Sequence, residues 1–181
     1  VYALSNYRLK KSMKETKVKN KWRFFKASKF IKENYEADKE NIISEYNNRG
    51  YRDAKILNDT IYYNSDNTIT IEITLDEGEP YLFGNINFIG NKKYTNSELL
   101  NQLSIDSGDV FNQSILDSRL FGTPEGTDIS SLYLDNGYLF FNATPVEVST
   151  ADNIIDLEIR LYEGDQARIN KVSVKGNTKT Q

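Results

Sequence analysis

The chain has 181 residues, a net charge of −3, 38% hydrophobic and 27% charged residues, a balance that suits one or two small globular domains. It contains no histidine and no cysteine, which removes thiol nucleophiles, disulfides, imidazole acid–base chemistry and the usual zinc ligand sets. Apolar runs such as Leu139-Phe140-Phe141 fall far short of the ~20 residues of a bilayer helix, and the polar, basic stretch after Leu4 is no signal peptide, so the abrupt ends suggest a piece of something longer.

Charge is unevenly spread along the chain. Residues 1–33 carry eleven Lys or Arg against Glu15 and Glu33, a balance of +9, and the remainder stands at −12. Leu4-Ser5-Asn6 followed by Leu9 and Met13 reads as a helix start. The segment Lys14–Lys29 that follows is long and basic. Within Lys17–Phe30, Trp22, Phe24 and Phe25 suit core packing with solvated lysines, or docking on anionic headgroups, a partner or the neighbouring unit. A nucleic-acid patch of stacked bases and bound phosphates is the remaining reading, and the acidic remainder of the chain opposes it.

A helix is expected to stop at Gly50, with Tyr51 anchoring the corner into a strand from about Ala54 to Tyr63. Asn64-Ser65-Asp66-Asn67 then turns the chain, and Ile69, Ile71, Ile73 and Leu75 alternate with Thr70, Glu72, Thr74 and Asp76, one face buried and one wet. Asp76-Glu77-Gly78-Glu79 reads as a turn; the short link Asp76–Tyr81 implies restricted motion between units. Tyr81–Ile89 is a strand that Gly90-Asn91 ends. Thr95-Asn96-Ser97-Glu98 has the form of a capping box, in which the Thr95 side chain accepts the Glu98 amide and Glu98 reaches back. Leu99, Leu100 and Leu103 recur at helical spacing behind it. Asp106-Ser107-Gly108-Asp109 is a second acidic turn, and like the first it lacks the spacing of a calcium loop.

A second helix begins near Asn112 or Ser114, with Ile115, Leu116, Arg119 and Leu120, and is broken by Gly122-Thr123-Pro124-Glu125-Gly126. Its continuation places Ile129, Leu132 and Tyr133 on one face and stops at Gly137, with Tyr138 as a second corner anchor. Phe141–Val148 and Ile154–Tyr162 read as a hairpin joined by Ser149–Asn153, and Ile155, Leu157, Ile159 and Leu161 form its buried face. Arg168–Lys175 reads as a final strand.

The pattern repeats. Asn48-Arg49-Gly50-Tyr51 corresponds to Asp135-Asn136-Gly137-Tyr138 at an offset of 87. Asp76-Glu77-Gly78 matches Tyr162-Glu163-Gly164, and Ile86–Asn91 matches Val172–Asn177, both at 86. Leu4-Ser5-Asn6 mirrors Tyr94-Thr95-Asn96 at 90. Repeats of this kind mark a tandem array, and each unit reads β-α-α-β-β. The expected fold class is α+β: tandem units, each a three-stranded mixed sheet covered on one face by two helices. The boundaries expected are 1–79 for a unit lacking its first strand, 80–165 for a complete unit, and 166–181 for the first strand of a following one.

The succession Gly90-Asn91, Thr95, Glu98-Leu99, Gly108, Gly137-Tyr138 and Glu163-Gly164 resembles the POTRA domain, over nearly the whole chain. Leu132–Phe141 and Gly50–Ile56 look especially like the POTRA domains of BamA-type assembly proteins in Bacteroidetes, where this chain would hold the second and third units. The break at Gly122–Gly126 and the long basic segment depart from the family pattern. The resemblance implies a periplasmic location at the outer membrane. It implies unfolded β-barrel proteins and accessory lipoproteins as partners, and a C-terminal barrel outside these residues as the anchor of the parent. It implies no enzyme activity, cofactor, metal or nucleic acid. A TamA-type module or a two-partner secretion transporter is the alternative host; the latter typically carries two units, which the strand at Arg168–Lys175 argues against.

A small sheet covered on one face leaves unpaired edges that an extended segment can join. The resemblance points to the second strand of each unit, Ala54–Tyr63 and Phe140–Val148. The contact residues expected are Lys55, Ile56, Leu57 and Thr60 in the first, and Phe140, Phe141, Asn142, Ala143, Thr144, Val146 and Val148 in the second. Pro145 supports an edge position on its own account, since it donates nothing to a ladder; it suits equally an edge blunted against aggregation.

Overall fold

The structure is a computed structural model that describes residues 3–17 and 30–176. Trp22, Phe24 and Phe25, and with them the readings of the basic aromatic segment, lie outside the described residues.

The first repeat opens with α1 (Asn6–Ser12), which starts where Ser5 Oγ accepts the Arg8 amide at 3.4 Å. α2 (Lys32–Asn47) buries Tyr35, Asp38, Ile42 and Tyr46, which recur along one face at helical spacing. It closes onto Gly50, whose φ of +85° is the left-handed conformation glycine adopts without strain. β1 (Lys55–Tyr63) and β2 (Ile69–Asp76) then pair antiparallel, Lys55 against Asp76 and Tyr63 against Ile69. The register slips between Ile56 and Asn58, so Leu57 sits in a β-bulge. Leu4, Ile42, Tyr46 and Ala54 form the core, with Leu9, Met13, Tyr51, Ile73 and Leu75 packed around it.

The second repeat begins with β3 (Leu82–Ile89) and α3 (Asn96–Leu103). The capping box is present as expected: Glu98 N–H donates to Thr95 Oγ1 at 3.3 Å and Thr95 N–H to Glu98 Oε2 at 2.7 Å. The second helix is divided, as the glycines at 122 and 126 suggest, into α4 (Gln113–Phe121) and α5 (Ile129–Leu134). The buried Asp128 holds the break together. Its carboxylate accepts the Ser131 amide at 2.9 Å, the Ser131 hydroxyl at 2.8 Å and the Thr123 amide at 3.1 Å. These partners outweigh the effect of burial and hold its pKa below the usual carboxylate value.

β4 (Asn142–Ala151) and β5 (Ile154–Tyr162) complete a three-stranded sheet of order β3-β5-β4. A Cβ on Gly84 would strike the Asp156 side chain and one on Gly90 the Leu161 carbonyl, so β3 and β5 run in the same direction. The sheet is therefore mixed, and each unit has the α+β layering expected of it. On β5, Ile155, Leu157, Ile159 and Leu161 are buried, while Ile154, Arg160 and Tyr162 are exposed. Grouped by contacts, the chain forms two compact units. One is Val1–Asn85 with Asp106–Ile115 and Ser149–Asp156; the other is Ile86–Ile105 with Leu116–Val148 and Leu157–Gln181.

Three expectations need correction. The expected loop Ser149–Asn153 shrinks to Asp152 and Asn153, with φ of 50° and 59°. Asx residues tolerate this left-handed pair, and the resulting two-residue turn matches strand twist, so the ladder extends to Ala151. At its other end β4 starts at Asn142, leaving Phe140 in a turn and Phe141 outside the strand. Phe141 stacks on Tyr133 with ring centroids 4.1 Å apart, a contact that holds it at the corner. Arg168–Lys175 forms no strand: it has no ladder partner among the described residues, and a strand needs one.

Candidate functional site

The two edges of the three-stranded sheet differ. Along β3 the edge is already occupied at its start. Phe83 N–H donates to Asp109 O at 2.8 Å, Gly108 N–H to Phe83 O at 2.7 Å and Phe111 N–H to Tyr81 O at 2.9 Å, with Leu82 and Val110 bridged. β4 is the opposite edge, and it contains Pro145, where the sequence places it. Asn142, Thr144 and Val148 are exposed and Val146 is half-buried, while Ala143 turns its methyl into the core. Phe140 is exposed just before the strand, and Phe141 is spent on Tyr133.

β1 offers the other candidate edge. Lys55 is exposed and 3.4 Å from Asp76 across the ladder; Ile56 and Thr60 are half-buried. Leu57 projects at the bulge, 58% exposed. Asp59 ties this strand to α2 through Lys39 Nζ at 3.2 Å. The Tyr35 hydroxyl and Lys39 beside it hold the Asp59 carboxyl below the usual range. The first repeat also encloses a cleft of about 1130 Å³, lined by Leu9, Met13, Phe30, Ile69, Ile71 and Ile73. Among the described residues no group of three His, Cys, Asp or Glu side chains could hold a metal, and no helix is long and apolar enough to cross a membrane.

Two carboxylates shape the hairpin bases: Glu77, which lies in a segment that reads as a turn, and Glu163, which the sequence marks only as its repeat equivalent. Glu163 Oε1 accepts the Lys92 amide at 2.8 Å, the Lys93 amide at 2.9 Å and the Tyr133 hydroxyl at 2.9 Å. Glu77 does the same in the first repeat, accepting the Tyr46 hydroxyl at 2.6 Å and the Ala3 amide at 3.0 Å. The signal was there in the register: Tyr46 and Tyr133 stand 87 apart, Glu77 and Glu163 86, Ala3 and Lys93 90, the same offsets as the repeat. Asp38 was missed too. Fully buried, it accepts the amides of Lys14, Glu15 and Thr16 at 2.6, 3.2 and 2.5 Å.

The chain matches the family model for POTRA, surface antigen variable number repeat, at residues 6–78 and again at 81–164. It is 27% identical over 117 residues to the outer membrane protein assembly factor BamA of Neisseria meningitidis, covering 62% of this chain and 15% of that protein. Against the BamA of Neorickettsia risticii it is 26% identical over 159 residues, 87% of this chain and 21% of that protein. The chain thus spans 15–21% of the length of these curated relatives. Its fold is that of the crystal structure of Haemophilus influenzae BamA POTRA3-5, with a TM-score of 0.53 and 20% identity, over 99% of this chain and 68% of that one.

Proposed function

Because this chain belongs to the POTRA family, we propose that it is the periplasmic POTRA region of an outer-membrane protein assembly factor, receiving unfolded β-barrel precursors by strand addition at its sheet edges. The observation that carries this is β4: it is an outer strand of the sheet, and the start of the opposite strand is already paired with Gly108–Phe111. An edge of this kind offers main-chain donors and acceptors, which grip any extended segment with little demand on its sequence. That suits a protein handling many clients. Relatives named as assembly factors support the setting. In this reading the chain does no chemistry of its own, accessory lipoproteins dock on its surfaces, and a C-terminal barrel outside these residues anchors the parent. Residues 1–79, 80–165 and 166–181 are then parts of three successive units.

Peptides copied from outer-membrane barrel strands test it by NMR titration. Amide shifts running along Asn142–Ala151 or Lys55–Tyr63 are the expected result. Shifts confined to the helices overturn edge pairing as the mechanism.

A further inference from the structure

Two hydrogen bonds occupy the same place in the repeat. Tyr81 N–H donates to Gly50 O at 2.8 Å in one compact unit, and Ala167 N–H donates to Gly137 O at 2.8 Å in the other. The glycines stand 87 apart and the donors 86. A Cβ on either glycine would crowd the donating residue, lying 2.8 Å from Tyr81 O or 3.4 Å from Ala167 O. The chain leaves both helix-to-strand corners along one path.

What covers each corner differs. In the first compact unit the segment Gly108–Ser114 closes over residues 48–53. Asn112 Nδ2 donates to Asn48 O at 2.7 Å, and Ser114 Oγ to Asn48 Oδ1 at 3.1 Å. The Arg52 guanidinium lies 5.0 Å from the centre of the Phe111 ring, and the Tyr81 hydroxyl donates to Asp53 Oδ2 at 2.8 Å. By the repeat offset, the residues standing where Arg52 and Asp53 stand are Leu139 and Phe140, 59% and 72% exposed. The segment equivalent to Gly108–Ser114 would fall beyond residue 181. The residues ahead of it that stand in the places of β3 carry the same mark: Ile169 and Val174 are 85% and 81% exposed, and their equivalents Phe83 and Phe88 only 2% and 3%.

We infer that Leu139 and Phe140 are the docking face for the inter-helix loop of a following copy of this fold, sealed by apolar burial where the first corner is sealed by polar and cation–π contacts. This rests on the reading of residues 166–181 as the start of a further unit. The occupant is fixed by the repeat itself, since the same corner one repeat earlier is covered by that same loop. The two corners ask different things of what covers them. Arg52 takes the face of the Phe111 ring from the loop, and Asp53 takes the Tyr81 hydroxyl, for which Ala167 at the equivalent place has no counterpart. Leu139 and Phe140 demand only apolar area, so the loop that covers them keeps the apolar side chains that Val110 and Phe111 supply at the first corner.

The absence of cysteine makes a clean test. Leu139→Cys and Phe140→Cys are made separately, in this chain and in the natural chain continued through one further repeat, and maleimide labelling rates are compared. Labelling at both positions slows roughly tenfold or more in the longer chain, because reaction then needs local opening. Tyr63→Cys, at a position 85% exposed on β1, labels equally in both and serves as control. Equal rates at 139 and 140 in the two chains overturn the inference. So does protection already present in the shorter chain that grows with its concentration, since a second copy would then be the occupant. The strand-peptide titration, repeated on the longer chain, reports edge pairing separately, so either proposal can fail while the other stands.

Discussion

One Glu163 carboxylate oxygen accepts two amides from the turn after β3 and the Tyr133 hydroxyl from α5, and this explains a tyrosine buried so completely in so small a core. Tyr133 is ringed by Tyr94, Tyr138 and Phe141 at centroid distances of 5.1, 5.8 and 4.1 Å, and only its hydroxyl needs a polar partner. Burial by itself would raise the Glu163 carboxyl; the two amides and the hydroxyl outweigh it and hold its pKa below the ordinary 4.5. A lowered folded-state pKa means that the stability it contributes is present above 4.5 and drains away as pH falls through the folded value. Glu163→Gln keeps the shape and loses the charge. It should destabilise the fold by about 1.5–3 kcal/mol at neutral pH, the range for hydrogen bonds to charged groups. Urea titrations from neutral pH down to acid should show the difference between parent and variant shrinking below 4.5. A difference that stays constant across that range would show the carboxylate's charge to be irrelevant. Little of this was legible locally. Glu77 and Glu163 sit in segments with the composition of turns, and no local pattern says that a carboxylate reaches a tyrosine thirty residues back in the chain.

Among elements, the start of α3 was the most legible and strand ends the least. Thr95 and Glu98 meet within one turn of chain, so their bond is a local property that survives any tertiary arrangement. The β4–β5 turn is different. Five residues of small and polar side chains have the composition of a loop, yet three of them continue β4 in its ladder with β5, which satisfies backbone groups that a loop would leave to solvent. Only Asp152 and Asn153 take positive φ. Asn153→Gly should therefore be neutral or slightly stabilising, whereas Asp152→Val should cost about 1–2 kcal/mol, since a β-branched residue resists the left-handed region. Thermal unfolding of the two variants checks this, and equal melting temperatures would mean that the turn is not strained in the way its φ values indicate. Phe140 and Phe141 show the converse error. Adjacent aromatics look like strand, but the aromatic face of Tyr133 captures one of them first, and the strand begins a residue later.

Over the whole molecule, the proposed strand addition makes the sheet edge the binding element and charge secondary. The basic first 33 residues and the acidic remainder would give strong ionic-strength dependence to any partner held by charge. Main-chain pairing along β4 or β1 predicts the opposite. The affinity of a barrel-strand peptide of zero net charge should change by less than about twofold between roughly 0.05 and 0.5 M salt, where screening lengths fall from above 10 Å to a few ångströms. Fluorescence titration at the two salt concentrations measures it, and a tenfold loss at high salt would place the contact on charged side chains. The sequence alone determined the repeat, its offsets, the α+β class, the order of elements as far as β5, the capped helix and the buried face of β5. All of these follow from periodicity and from contacts made within a few residues. The tertiary structure alone decided that the start of β3 is already paired, where β4 begins and ends, and which carboxylates meet Tyr46 and Tyr133. Those depend on what a distant segment covers: Gly108–Phe111 closes the start of β3, and nothing in the local composition of either segment says that they meet.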